Sequence, residues 1–172
     1  MHLSTELSDL VIELPVVTEN TSLAVIVESE QNTNYITGTI ERLRKDNPLA
    51  VDFIEKLSWS FDSEAAKYAG ILVYRLLEKQ GLTLNLSQEA IDDIKSDLCQ
   101  SYINDYVPGI IKYINHTNRI VMSSITLSKS KFPSEDPFNA YCGGALMYAV
   151  LERQVRINQQ VQINEGHKPL LN

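Results

Sequence analysis

The stretch Asp62–Gly81, DSEAAKYAGILVYRLLEKQG, constrains the fold more than any other. Ala65, Ala66, Tyr68, Ala69, Leu72, Val73, Leu76 and Leu77 recur at steps of three and four residues, which makes one broad apolar helical face. The clearly polar stripe is narrow: Glu64, Lys67, Arg75 and Glu78. A helix this apolar must be covered by several neighbours, so the rest of the chain has to be arranged around it. Asp62 is the expected N-cap, with Glu64 in the first turn where the helix dipole favours negative charge. Gly81 is the expected stop, with Lys79 in the last turn.

A second segment carries the complementary signal. Asp136-Pro137 is a helix start, and Phe138, Tyr141, Ala145, Leu146, Ala149 and Val150 define a long helix containing Gly143-Gly144. Each glycine costs a helix about 1 kcal/mol relative to alanine, so the pair needs a reason. Close approach of another backbone supplies one. The small residues Ala65, Ala66, Ala69 and Gly70 are the expected partners, in the same chain or in a second subunit. The spans Asp62–Gln80 and Pro137–Glu152 are thus expected as central, antiparallel-packed helices.

The remaining pattern is also helical. Ile36, Ile40 and Leu43 share a face; Asn47-Pro48 reads as N-cap and first helical residue, followed by Leu49, Phe53, Ile54 and Leu57. Trp59 and Phe61 are expected at the corner with the core helix. Ser87 caps a helix whose Ile91, Ile94, Leu98 and Tyr102 face inward. Pro108-Gly109 is expected to interrupt it, and a further helix to resume from Ile110 through Ile125. In the tail, Val155, Ile157, Val161 and Ile163 fit a helix or a short strand, and helix is favoured because no breaker precedes them. Only 7 glycines and 6 prolines in 172 residues also argue for helices over a turn-rich β fold. The expected fold is all-α: a single-domain bundle of about five to six helices over 35–164, with a loose end at 165–172. Residues 1–34 are expected as a less regular acidic N-terminal arm. Within it, Leu3, Leu7, Leu10, Val11 and Leu14 suit a short helix ended by Pro15, while Leu23–Val27 suits a strand or a buried helix turn alike.

The net charge of −7 is localised. Residues 1–41 hold seven acids and no Lys or Arg, and the remaining chain has 15 of each sign. Conversely, no acid lies between Asp105 and Glu135, where Lys112, Arg119, Lys129 and Lys131 form a basic strip. The acids serve either to keep a loose segment solvated or to dock the arm on the strip, within one chain or between two. No apolar run approaches the roughly 20 residues that span a bilayer, and the N-terminus lacks the basic region of a signal peptide. Cys99 and Cys142 are too few for a disulfide scaffold, so free thiols and a cytoplasmic location are expected.

Few residues suggest chemistry. Glu89, Asp93 and Asp97 lie on one helical face with the i, i+4 spacing that lets carboxylates share Mg²⁺, although no second acidic motif answers them and a solvated face explains them equally. His2, His116 and His167 have no zinc-ligand spacing, and Cys142 sits among apolar residues that would keep its thiol inert. No cofactor motif is present. Tyr102, Tyr106 and Tyr113 adjoin the basic strip; with Lys112, Arg119, Lys129 and Lys131 they form the expected interaction surface. The expected function is therefore a non-enzymatic, cytoplasmic protein–protein interaction module that associates with itself. The alternatives are a small-molecule or nucleotide-binding protein or hydrolase with a carboxylate-lined Mg²⁺ site, using Arg75 or Arg153, and weak nucleic-acid binding through the basic strip.

Overall fold

The computed structural model describes residues 14–100 and 103–166. Within them are eight α-helices and no strand: α1 Glu19–Gln31, α2 Tyr35–Asp46, α3 Pro48–Phe61, α4 Glu64–Lys79, α5 Gln88–Gln100, α6 Ile103–Thr117, α7 Arg119–Ser128 and α8 Pro137–Gly166, with a 3₁₀ turn at Lys129–Lys131. The all-helical class is as expected, but the helices outnumber the five to six anticipated. The helix expected ahead of Pro15, the corner role of the Trp59 side chain, Tyr102 and the end beyond residue 166 lie outside the described residues.

α4 is the buried centre. Ala66, Ala69, Ile71, Val73, Leu76 and Leu77 are fully excluded from solvent. Burying an aliphatic side chain of the size of Leu or Ile contributes roughly 1.5–3 kcal/mol. Its N-cap is Ser63 and not Asp62: Asp62 takes a left-handed φ of 46°, while Ser63 is extended and its hydroxyl accepts from the Ala66 amide. A second cap comes from far along the chain. The Glu135 carboxylate accepts from the amides of Glu64 and Ala65 and from the Ser63 hydroxyl, at 2.9–3.1 Å. It therefore meets orphan donors and the positive end of the helix dipole together. At the other end Gly81, at φ 105°, lets its own amide reach Glu78 O and that of Leu82 reach Leu77 O, the paired bonds of a Schellman stop.

α8 packs along α4 in the same direction, not the opposite one. Their starts are joined through Glu135; Gly143 meets Ala66, Gly70 meets Met147, and Gln80–Leu84 flank Val155–Gln162. The return run is made by α6 and α7 together. Tyr113 stacks edge-on against Tyr148, Ile125 lies on Gly144, and Lys129 sits over Tyr141, so this pair descends α8 from end to start. Pro108-Gly109 does not interrupt α6, which passes through both residues. The break falls instead at Asn118, which ends α6 and starts α7. Its buried amide fixes the corner, accepting from Val17 N at 3.1 Å and donating to the Tyr148 hydroxyl at 2.6 Å. Those two partners fix the break at Asn118, while Pro108, inside α6, forgoes the one bond that its missing N–H would give to Asn104 O.

Two other buried amides act alike. Asn47 does not cap α3 with its side chain; its oxygen accepts from Leu86 N and its nitrogen donates to Leu84 O, both at 3.1 Å. Those bonds tie the 82–87 connection to the α2–α3 corner. Gln154, on α8, accepts from the amide and hydroxyl of Ser87, which caps α5 through Ala90 N. Residues 153–164 continue α8 as helix. The expected irregular arm also changes character: from Glu19 it is helix α1, capped by Thr18, with Ser22 and Val25 buried. Leu23–Val27 is helical because Val25 turns into the core while Leu23 stays 62% exposed, a division of faces that a strand of this length would not give.

Candidate functional site

The expected site residues fall into four places. Asp93 and Asp97 project from α5 toward Arg153 of α8, at 3.5 and 2.8 Å. Glu89 is exposed one turn earlier. The guanidinium thus stands where a divalent cation would be shared, and among the described residues no group of three or more His, Cys, Asp or Glu comes together to hold a metal. Asp97 and Arg153 border a cleft of about 480 Å³ between α5, α6 and α8, together with Tyr106, Tyr113, Tyr148 and Glu152. Glu152 pairs with Arg156 at 3.1 Å. Burial, reinforced by Asp97, raises the Tyr106 hydroxyl above its ordinary pKa, so it is a neutral donor here.

The basic strip is divided. Lys112 is exposed on α6, and Arg119 is exposed where α7 begins. Lys129 and Lys131 lie at the far end of α7, about 15 Å from Arg119 by helical rise. Both are engaged with aromatic faces: Lys129 stands 5.5 Å from the Tyr141 ring, and Lys131 stands 4.9 Å from the Tyr68 ring and donates to its hydroxyl. Tyr106 and Tyr113 belong to the cleft and not to this end of α7.

The small residues meet the long helix closely. A Cβ at Gly143 would lie 2.1 Å from the Ala66 carbonyl oxygen, and one at Gly70 would lie 2.9 Å from Leu57 Cδ1. Gly144 faces elsewhere, onto the Ile125 side chain of α7. Ala65, Ala66 and Ala69 are all buried. These positions build the core and offer no surface. Cys142 is buried beside them, and burial pushes its thiol up to about 11.

Sequence reasoning missed a charged junction that holds α1 and α2 to α4. Glu28 of α1 pairs with Lys79 and Arg75; Glu78 pairs with Arg75 and with Arg42 of α2. Arg75 also donates to the Tyr35 hydroxyl at 3.3 Å. Burial raises the Glu78 carboxyl, but hydrogen bonds from Arg42 and Arg75 outweigh it, and the net shift is downward. Glu28 is lowered chiefly by its hydrogen bond from Lys79. Glu28 of α1 therefore docks on the basic residues of the core helix, a match that no spacing rule links because the partners lie 47 and 51 residues away.

Sequence reasoning also passed over the outer surface of α1 and α7. Leu23 and Leu127 are 62% and 57% exposed, and Val27 is 38% exposed. The two helices run side by side in the same direction, tied by Val17–Asn118 at one end and by a Ser22–Ser124 hydroxyl contact of 2.7 Å further on. Beyond that contact, Ile26 and Leu127 line one shallow groove.

The chain matches no protein-family model, and no curated protein and no solved structure is similar to it. Among the described residues no helix is long and apolar enough to cross a membrane.

Proposed function

We propose that this chain is a non-enzymatic, cytoplasmic helical interaction module that associates with itself. The observation that supports this reading most directly is the exposed aliphatic group Leu23, Val27 and Leu127 on adjoining helices. Most charged groups of the clefts, by contrast, are engaged with one another: Arg153 with Asp93 and Asp97, Glu152 with Arg156, and Glu28 and Glu78 with Arg42, Arg75 and Lys79. Such groups hold helices together and are not poised for proton transfer or nucleophilic attack. Light scattering on the purified chain across micromolar concentrations tests the reading, and a concentration-independent monomer refutes self-association.

A second reading rests on the α5–α6–α8 cleft, whose volume of about 480 Å³ and tyrosine-rich wall suit a small ligand. Calorimetric titration with Mg²⁺ and nucleotides tests it, and absence of heat removes it.

A further inference from the structure

We infer that the α1–α7 face is the surface on which two copies of this chain pair, about a twofold axis parallel to the groove between these helices. The inference rests on the self-association just proposed and specifies where it occurs.

The argument starts from helical register. On α1, taking Ser22 as the residue that faces α7, a step of 100° per residue puts Leu23, Val27, Glu19 and Glu30 in one outer sector. All four are exposed. On α7, taking Ser124 as the residue that faces α1, the same step puts Leu127 and Arg119 on the outer side. Both are exposed, and Lys131 follows beyond the C-terminal end of α7. Leu127, Lys131 and Glu30 border the same groove. The face is therefore a middle of Leu23, Val27 and Leu127 with the exposed Ser123 among them, and a charged residue at each corner. The acids lie on the α1 side, Glu19 at one end and Glu30 at the other. The bases lie on the α7 side, Arg119 and Lys131 at the corresponding ends, and Lys131 would have to leave the Tyr68 hydroxyl to reach across.

Because α1 and α7 run in the same direction, these ends are matched. A twofold axis along the groove keeps the ends in place and exchanges the sides. It brings α1 of one copy over α7 of the other. Glu19 then faces the second copy's Arg119, Glu30 faces its Lys131, and Leu23 and Val27 meet its Leu127. An isologous interface requires such self-complementarity, and here both the charged rim and the apolar centre supply it. An unrelated acidic or basic partner would complement only one side of the face.

The test uses the full chain in sedimentation equilibrium, with thermal unfolding as a control for folding. Leu23→Ser with Leu127→Ser is expected to raise the dimer dissociation constant about a hundredfold or more, since each change acts twice across the axis. Glu19→Arg alone, which sets Arg against Arg119, is expected to weaken pairing by about tenfold. Glu19→Arg combined with Arg119→Glu is expected to restore it to within about threefold. A wild-type dimer unaffected by the leucine changes, in variants that unfold at the wild-type temperature, would overturn this surface while leaving self-association intact. Failure of the charge exchange to rescue would overturn the twofold arrangement. A wild-type monomer at every concentration would overturn both.

Discussion

Replacing Gly143 with alanine tests the central packing directly. The added Cβ would lie 2.6 Å from the Cα and carbonyl carbon of Ala66 and 2.1 Å from its oxygen. Ordinary carbon–carbon contact is about 3.5 Å, so α8 has to withdraw from α4 by roughly 1 Å. The obstacle is backbone in the first turn of α4, pinned by the Ser63 and Glu135 caps, and cannot rotate aside as a side chain does. Overpacking of this kind costs about 3 kcal/mol at the upper end of the usual range. Alanine returns about 1 kcal/mol of helix propensity, leaving a net loss of about 2 kcal/mol. For a chain of this size that lowers the melting temperature by about 4–8 °C. Urea unfolding followed by circular dichroism, with the midpoint converted through an unchanged slope, measures the loss. Gly38→Ala is the control. It lies in α2 with nothing within 4 Å of a new Cβ, so it gains propensity without a clash and should stabilise by about 0.5–1 kcal/mol. If Gly143→Ala were as stable as the parent while Gly38→Ala behaved as expected, α4 and α8 would not approach as described.

Three further outcomes follow from the buried and charged groups. Glu28 and Glu78 titrate below the ordinary 4.5, so their contribution is complete above about pH 4.5 and is lost as pH falls through their folded values. Acid unfolding should accordingly be shallower in Glu78→Gln, which also loses roughly 1 kcal/mol at neutral pH; an unchanged pH profile would refute the junction. Asn118→Ala removes the acceptor of Val17 N and the donor to the Tyr148 hydroxyl, and should destabilise by about 2 kcal/mol or more in the same urea assay. With a thiol-specific chromogenic reagent at mildly alkaline pH, the folded protein should expose one rapidly reacting cysteine, Cys99, and release the second, Cys142, only on unfolding. Rapid reaction of both would contradict the burial of Cys142.

The outcome for the basic strip shows why a candidate surface read from sequence is fragile. Lys112, Arg119, Lys129 and Lys131 are close in sequence, yet a helix turns each of them by 100° per residue, and the break at Asn118 separates the first from the rest. Lys131 ends against Tyr68, 63 residues earlier, and Lys129 against Tyr141. The acids of residues 1–41 were legible as charge but their placement was not, because Glu28 is ordered by Arg75 and Lys79 and not by any residue near it. The stripe Glu89, Asp93, Asp97 was legible as a helical face; its counter-ion, Arg153, was not.

What the sequence by itself determined is what acts within about one helical turn. The apolar period marks α4 and α8, Gly81 stops one helix, Ser87 caps another, and Asp136 starts a third by accepting from Phe138 N at 2.9 Å. These depend on partners two to five residues away, which the order of residues states outright. Only the tertiary structure decided the parallel course of α4 and α8, the break at Asn118 and the cap that Glu135 places on α4. Each depends on a partner 70 residues or more distant, as Glu135 is from Ala65 and Asn118 from Val17. Which distant groups meet is set by how all the apolar faces are buried at once, and no local pattern carries that information.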